Sequence, residues 1–122
     1  MSKTILVVDD SASMRQVISG TLESAGYQTK VAVDGVDALS KLDGERFALI
    51  ISDVNMPNMD GISLIKAVKQ RPDTKFTPIV MLTTETMAEK KEEGRQAGAK
   101  AWIVKPFQPN QILDVVSKLV TL

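Results

Sequence analysis

Neither cysteine nor histidine occurs anywhere in the 122 residues. The first absence excludes a disulfide framework and a thiolate-ligated metal. The second excludes an imidazole general base and a histidine-bound zinc. Net charge is lacking too, because 15 lysine and arginine residues cancel 15 aspartate and glutamate residues. No overall positive field therefore draws the chain to nucleic acid or anionic lipid. No apolar run approaches the roughly 20 residues that span a bilayer. The chain also enters a strand-like run straight after Met1-Ser2-Lys3, which leaves no room for a signal peptide. These absences predict a soluble, cytoplasmic protein with neither nucleic acid nor membrane as partner, its function confined to a local site. What is present is an ordinary globular balance, 43% hydrophobic and 25% charged. That suffices for one domain burying roughly two-thirds of its unfolded surface.

The patterning alternates between two periods, with no linker and no repeat. Ile5-Leu6-Val7-Val8 is a continuous apolar run stopping at Asp9-Asp10, as expected of a strand buried on both faces. From Ser13, apolar residues at Met14, Val17, Ile18, Thr21, Leu22 and Ala25 form the stripe of an amphipathic helix, closed by Gly26. Thr29 to Val33 alternates, with Val31 and Val33 on one face and Lys30 on the other, which predicts an edge strand. Asp34 suits the N-cap of a helix carrying Val36, Ala38, Leu39 and Leu42. Leu49-Ile50-Ile51 reads as a second buried strand, ending at Asp53. Asn58 to Gly61 has turn chemistry, with Met56 and Met59 placed to pack beneath it. A helix then turns Ile62, Ile65 and Val68 inward and stops before Pro72. Ile79 to Leu82 is a strand ending at Thr83-Thr84, and Met87 to Ala97 is a highly charged helix closed by Gly98. Trp102-Ile103-Val104 ends at Lys105-Pro106, and Ile112, Val115, Val116, Leu119 and Val120 mark the last helix.

Five strand–helix units predict an α/β fold, a doubly wound parallel sheet joined by right-handed crossovers. Ligands of such sheets lie beyond the carboxyl ends of the strands. The residues expected there are Asp9, Asp10, Asp53, Thr83 and Lys105. Each has an ordinary alternative: a helix-entry turn for Asp9-Asp10, turn chemistry for Asp53, a helix cap for Thr83 and Thr84, a solvated loop position for Lys105. Their coincidence at four strand ends favours a site. Three clustered carboxylates repel by ~4 kcal/mol per pair at 4 Å, for an effective dielectric of about 20. Such a cluster protonates one member or binds a cation. An all-oxygen ligand set suits Mg²⁺, with Ca²⁺ and Mn²⁺ as alternatives. A carboxylate beside a divalent ion can act as a nucleophile toward phosphorus. The metal, Lys105 and the Thr83 hydroxyl would then face the phosphoryl oxygens.

Four motifs carry a family likeness: Val7-Val8-Asp9-Asp10, the run from Asp53 to Gly61, Leu82-Thr83-Thr84, and Val104-Lys105-Pro106-Phe107. Together they resemble the response-regulator receiver domain over essentially the whole chain, and within it the stand-alone chemotaxis regulators. The resemblance implies one receiver domain over residues 1–122, with a flavodoxin-like five-stranded sheet in the order 2-1-3-4-5. It implies Asp53 as phosphoacceptor, and Mg²⁺ bound directly by Asp10 and Asp53, by the Asn55 carbonyl, and by Asp9 largely through water. Thr83 and Lys105 would contact the phosphoryl oxygens, and Trp102 would hold the aromatic switch position. The implied partners are a sensor histidine kinase, an output protein such as a flagellar motor switch component, and a phosphatase. A monomer is expected, signalling rather than enzymatic, which catalyses only its own phosphorylation and dephosphorylation.

Asn55 and Glu85 match the pair found in the enterobacterial chemotaxis regulator, and the end at Leu122 predicts no appended output domain. Trp102 departs from the usual tyrosine or phenylalanine, Thr84 from a small residue, and the surface from Met87 to Arg95 is not a close match. A phosphate-sink receiver without its own output is the alternative within the class. Outside it stands a small Mg²⁺-dependent phosphatase of the haloacid-dehalogenase type. That enzyme wants a second aspartate where this chain has Asn55. A flavin module is disfavoured because Asp9-Asp10 would repel its phosphate.

Overall fold

Apolar strand cores flanked by capped helices determine the architecture, seen in a computed structural model that describes residues 3–84 and 88–120. The first units are β1 (Thr4–Val8), α1 (Ala12–Ser24), β2 (Gln28–Ala32) and α2 (Gly35–Leu42). Next come β3 (Leu49–Asp53), α3 (Gly61–Lys69), β4 (Ile79–Thr83), α4 (Ala88–Ala97), β5 (Ala101–Val104) and α5 (Pro109–Leu119). The helix starts follow side-chain chemistry. Ser11, Asp34 and Asp60 accept hydrogen bonds from the backbone N–H groups of Met14, Asp37 and Ser63, satisfying donors that a first turn leaves open. Met87, expected to open the fourth helix, and Glu85 lie outside the described residues.

The strands form one parallel sheet in the order β2-β1-β3-β4-β5, as expected. Alternate strand residues feed two cores. Ile5, Val7, Leu49, Ile51, Val80 and Leu82 pack toward α1 and α5. Leu6, Val8, Ile50, Ile79 and Met81 pack toward α2 and α3, with Ala97 of α4 against the same layer. β1, β3 and β4 are buried along almost their whole length. They read as unbroken apolar runs because both faces are covered.

β2 lies at the sheet edge as expected, while exposure on α1 and α2 corrects the apolar stripes read from patterning. Val17 is 52% exposed, Val31 39%, Val33 46% and Val36 53%. Ile18 and Leu22 fill the α1 stripe without Val17. On edge strand β2 it is Ala32, not Val31, that is buried. The period was right, but an edge strand has a neighbour on one side alone, so its outer residues stay wet. Met56 and Met59 do pack on the core below their turn.

Gly61 lies where the chain passes closest to the end of β3. A Cβ there would sit 2.2 Å from the Asp53 carbonyl oxygen. No helix among the described residues is long and apolar enough to cross a membrane. Gly61→Ala is expected to lower stability by about 2 kcal/mol or more, because backbone cannot move aside as a side chain can. Gly20→Ala, in an open stretch of α1 with nothing within 4 Å, is expected to raise it by up to ~1 kcal/mol. Urea unfolding of both variants checks the pair.

Candidate functional site

The carboxyl ends of β1, β3, β4 and β5 converge on one crevice. β1 delivers Asp9, whose backbone N–H donates to the Ala32 carbonyl at 3.1 Å. Its carboxylate accepts from the Ser11 N–H at 2.9 Å and from the Lys105 ammonium at 3.0 Å. Asp9 is buried, while Asp10, the next residue, opens to solvent. β3 ends in Asp53, whose Oδ1 accepts from the Val54 N–H at 2.8 Å and whose Oδ2 lies 3.5 Å from Lys105 Nζ. One oxygen from each of Asp9, Asp10 and Asp53 falls within 4.8 Å of the others. Thr83, wholly buried, ends β4. Its carbonyl accepts from the Lys105 N–H at 2.7 Å, which ties the ends of β4 and β5 together. The Lys105–Pro106 peptide is cis.

Electrostatics within the crevice oppose its own charges. Burial pushes the Asp53 carboxyl above the ordinary carboxylate range. The Lys105 ammonium pulls it back, Asp9 pushes it up, the Val54 N–H lowers it, and Asp10 raises it again. Three carboxylates face one ammonium, the donors are all oxygen, and Asp10 leaves the cluster open on its solvent side. Those features fit a hard divalent cation such as Mg²⁺, which needs oxygen ligands and keeps some of its water.

The structure brings Asp9, Asp10, Asp53 and Lys105 together, sets Thr83 at the adjoining end of β4, and places Asn55 two residues past β3 in an exposed stretch of loop. Trp102 is elsewhere, half-buried in β5 on the opposite side of the sheet from α1 and α5. A Cβ on Gly94 of α4 would lie 2.6 Å from its ring. A groove of 130 Å³ beside it is lined by Lys91, Arg95, Ala99, Lys100, Ala101 and Trp102. Sequence reasoning missed Arg15, whose guanidinium donates to the Asp9 carbonyl at 2.7 Å. It also missed Asn58, whose amide donates to Asp34 at 2.7 Å. Neither left a signal, because both partners are distant in the chain or belong to the backbone.

An open, doubly wound α/β sheet with an aspartate cluster and a lysine at its carboxyl edge defines the class. Residues 5–117 match the Response regulator receiver domain, and the chain belongs to that family. Chemotaxis protein CheY-3 of Vibrio cholerae is 36% identical over 116 residues, 94% of this chain and 89% of that protein. The sensor histidine kinase RcsC of Escherichia coli is 40% identical over 118 residues, 97% of this chain but 12% of the kinase. Among solved structures, chemotaxis protein CheY4 of V. cholerae superposes with a TM-score of 0.94 at 50% identity, covering 98% of this chain and 100% of its own. The response regulator TrrA of Thermotoga maritima, in complex with Mg²⁺–BeF, gives 0.87 at 29%, covering 97% and 99%. The chain is thus a CheY-like receiver domain of the two-component type.

A raised Asp53 pKa has a definite sign. The folded state favours the protonated carboxyl, so ionisation costs stability as pH rises from the ordinary carboxylate range through the Asp53 value. Without metal at neutral pH, Asp53→Asn is therefore expected to melt a few degrees above wild type, with the gap closing as pH falls. Mg²⁺ is expected to raise the wild-type midpoint and leave the variant's nearly unmoved. Thermal melts from pH 3 to 8, in EDTA and in Mg²⁺, check both statements.

Proposed function

We propose that this receiver is a phosphorylation-activated switch in which Asp53 takes a phosphoryl group from a histidine kinase and the protein then changes its affinity for an output partner. The observation that carries the reading is the approach of Asp9, Asp10 and Asp53 within 4.8 Å, with the Lys105 ammonium against two of them. In the transfer, an Asp53 carboxylate oxygen forms a bond to phosphorus as the phosphorus–nitrogen bond of the kinase phosphohistidine breaks. The imidazole leaves with the electron pair and takes a proton from solvent. The Val54 N–H holds Asp53 Oδ1, which orients the nucleophile. Lys105, reaching in from β5, neutralises charge on the phosphoryl oxygens, and Thr83 offers its hydroxyl from the end of β4. Asp10, Asp53 and the Asn55 carbonyl would hold Mg²⁺, with Asp9 behind them. When bound, the ion supplies positive charge that offsets the carboxylates and the incoming phosphate. The domain acts on its own aspartate and is not an enzyme for other substrates.

The response runs through Thr83 and Trp102. A phosphoryl group adds about −1.5 to −2 charges and strong acceptors, which draw in the Thr83 hydroxyl. The space it vacates receives Trp102, and α4 yields because among its described residues Gly94 alone is buried. The likeness to chemotaxis proteins CheY-3 and CheY4 supports a cytoplasmic chemotaxis role with a flagellar motor switch component as output. The 40% identity to RcsC favours a second reading, a receiver that relays or drains phosphate for a sensor kinase.

Acetyl phosphate with Mg²⁺ is expected to add one phosphoryl group, labile to hydroxylamine. Asp53→Asn and EDTA are each expected to abolish labelling, and an unchanged rate in the variant would remove Asp53 from its role. Lys105→Arg keeps the charge but replaces a compact ammonium with a planar fork. It is expected to retain Mg²⁺ binding and lose most of the response read from Trp102 fluorescence. That emission is expected to change with beryllofluoride plus Mg²⁺, beyond any change with Mg²⁺ alone, and less in Thr83→Ala. One charge-assisted hydrogen bond, roughly 1.5–3 kcal/mol, falls short of the ~5.5 kcal/mol for a full shift. The shift is therefore expected to be partial until a partner binds. A pull-down with and without beryllofluoride separates motor output from phosphate drain.

A further inference from the structure

The loop between β3 and α3 carries Asn55 and connects directly to Asp53. Its base is closed by the Gly61 N–H donating to the Val54 carbonyl at 2.8 Å. Its outer part is held from a different place, the turn between β2 and α2. There the Asn58 side-chain amide donates to Asp34 Oδ2 at 2.7 Å, and the Gly35 N–H donates to the Met59 carbonyl at 3.3 Å. The Met59 side chain fills the space a Cβ on Gly35 would need, 2.7 Å from its Cγ. Asn58 stands at φ 69°, a left-handed conformation that asparagine tolerates and most residues do not.

Asp34 is itself fixed. It is buried, and its other oxygen accepts the Asp37 N–H at 2.8 Å, while Asp37 accepts the Val33 N–H at 3.0 Å. The Asp37 N–H and then the Asn58 amide hold the Asp34 carboxyl below the usual carboxylate range. An ionised carboxylate accepts and never donates, so Asn58 must present its N–H. A chain of hydrogen bonds thus runs from the end of β2 through Asp37 and Asp34 into the loop. Between Asn58 and Asn55 stand only Met56 and Pro57. Pro57 has a ring-locked φ, and its carbonyl accepts from the Met59 N–H at 2.7 Å. Those two constraints leave little slack between Asn58 and Asn55.

We propose that the Asp34–Asn58 hydrogen bond is a positioning latch that sets the divalent-cation affinity of the site by fixing the loop that bears Asn55. Neither residue belongs to the acid cluster that would hold the ion. The inference rests on the reading of Asp53 and Asn55 as metal ligands. It adds a determinant of affinity outside the acid cluster, in the turn after β2.

Calorimetric titration with MgCl₂ tests the latch. Asn58→Asp places two carboxylates where one hydrogen bond was and is expected to weaken Mg²⁺ binding about tenfold, the low end of what is lost when a direct partner of a ligand is removed. Asn58→Gly keeps the positive φ, adds no charge, and is expected to weaken binding in the same direction. The exchange Asp34→Asn with Asn58→Asp rebuilds the bond with donor and acceptor reversed, and still caps Asp37. It is expected to recover most of the affinity. Acetyl phosphate labelling at saturating Mg²⁺ is expected to run at the wild-type rate in all three, which distinguishes positioning from general damage. Wild-type affinity in Asn58→Asp and Asn58→Gly overturns the latch. So does a folded exchange variant, verified by urea unfolding, that binds no better than Asn58→Asp. A wild-type protein that binds no Mg²⁺ overturns the metal-site reading itself, and the latch with it.

Discussion

Three carboxylates held within 4.8 Å of one another, with one ammonium between two of them, are the constraint around which this molecule is organised. Nothing local favours that arrangement, since like charges repel and Asp53 in addition is penalised by burial. Breaking apart would relieve the repulsion, yet the strands that carry the groups cannot separate. β1 and β3 are adjacent, paired from Ile5 with Leu49 to Val8 with Ser52, and both are buried on their two faces. The hydrophobic core thus holds an electrostatically unfavourable cluster in place. Lys105 is a weak stabiliser here, because desolvating a buried ion pair offsets much of its attraction. Its value is geometric, since it links the end of β5 to the ends of β1 and β3.

The structure divides between deeply buried elements and one that is mostly exposed. Central strands and the helices packed on them supply a rigid floor. α4 is a highly charged helix whose described residues are mostly exposed, and it rests on Trp102 through Gly94. Few buried apolar contacts mean a low local stability, the property expected of an element that shifts on signalling. Trp102 lies between the two, in a strand of the sheet but against α4. The loop from Val54 to Gly61 belongs to the rigid part, tied to both its own strand and the turn after β2. A loop tied at two places and a helix with few buried residues thus flank the same carboxyl edge of the sheet.

Most of the fold was legible because its signals are local. Caps at Asp34 and the turn at Asn58 to Gly61 appeared where expected, and so did every strand end that carries a site residue. The edge position of β2 was read correctly, and the misreadings were of coverage on α1 and α2. Val17, Val31, Val33 and Val36 obeyed the right period and stayed exposed, because periodicity names a face and not whether anything covers it. For Val31 and Val33, coverage depends on the neighbours of β2, and an edge strand lacks one; Val17 and Val36 lie on the margins of their helix stripes. The contacts of Arg15 with Asp9 and of Asn58 with Asp34 were illegible for a related reason. An arginine reaching a backbone carbonyl and an asparagine reaching an aspartate 24 residues away obey no spacing rule.

By itself, the sequence determined the order of elements, the parallel sheet, and the identity of Asp9, Asp10, Asp53, Thr83 and Lys105. Each of these follows from a short stretch: an apolar run, the polar residue that ends it, and the helix that follows. Tertiary structure alone decided how those groups meet. It set Asp9 as the buried partner of Lys105 and Asp10 as the solvent-facing member, two adjacent residues of one type with opposite environments. It also decided the raised pKa of Asp53, whose largest cause is burial. Burial is a property of everything packed around a residue, and no stretch of chain carries it.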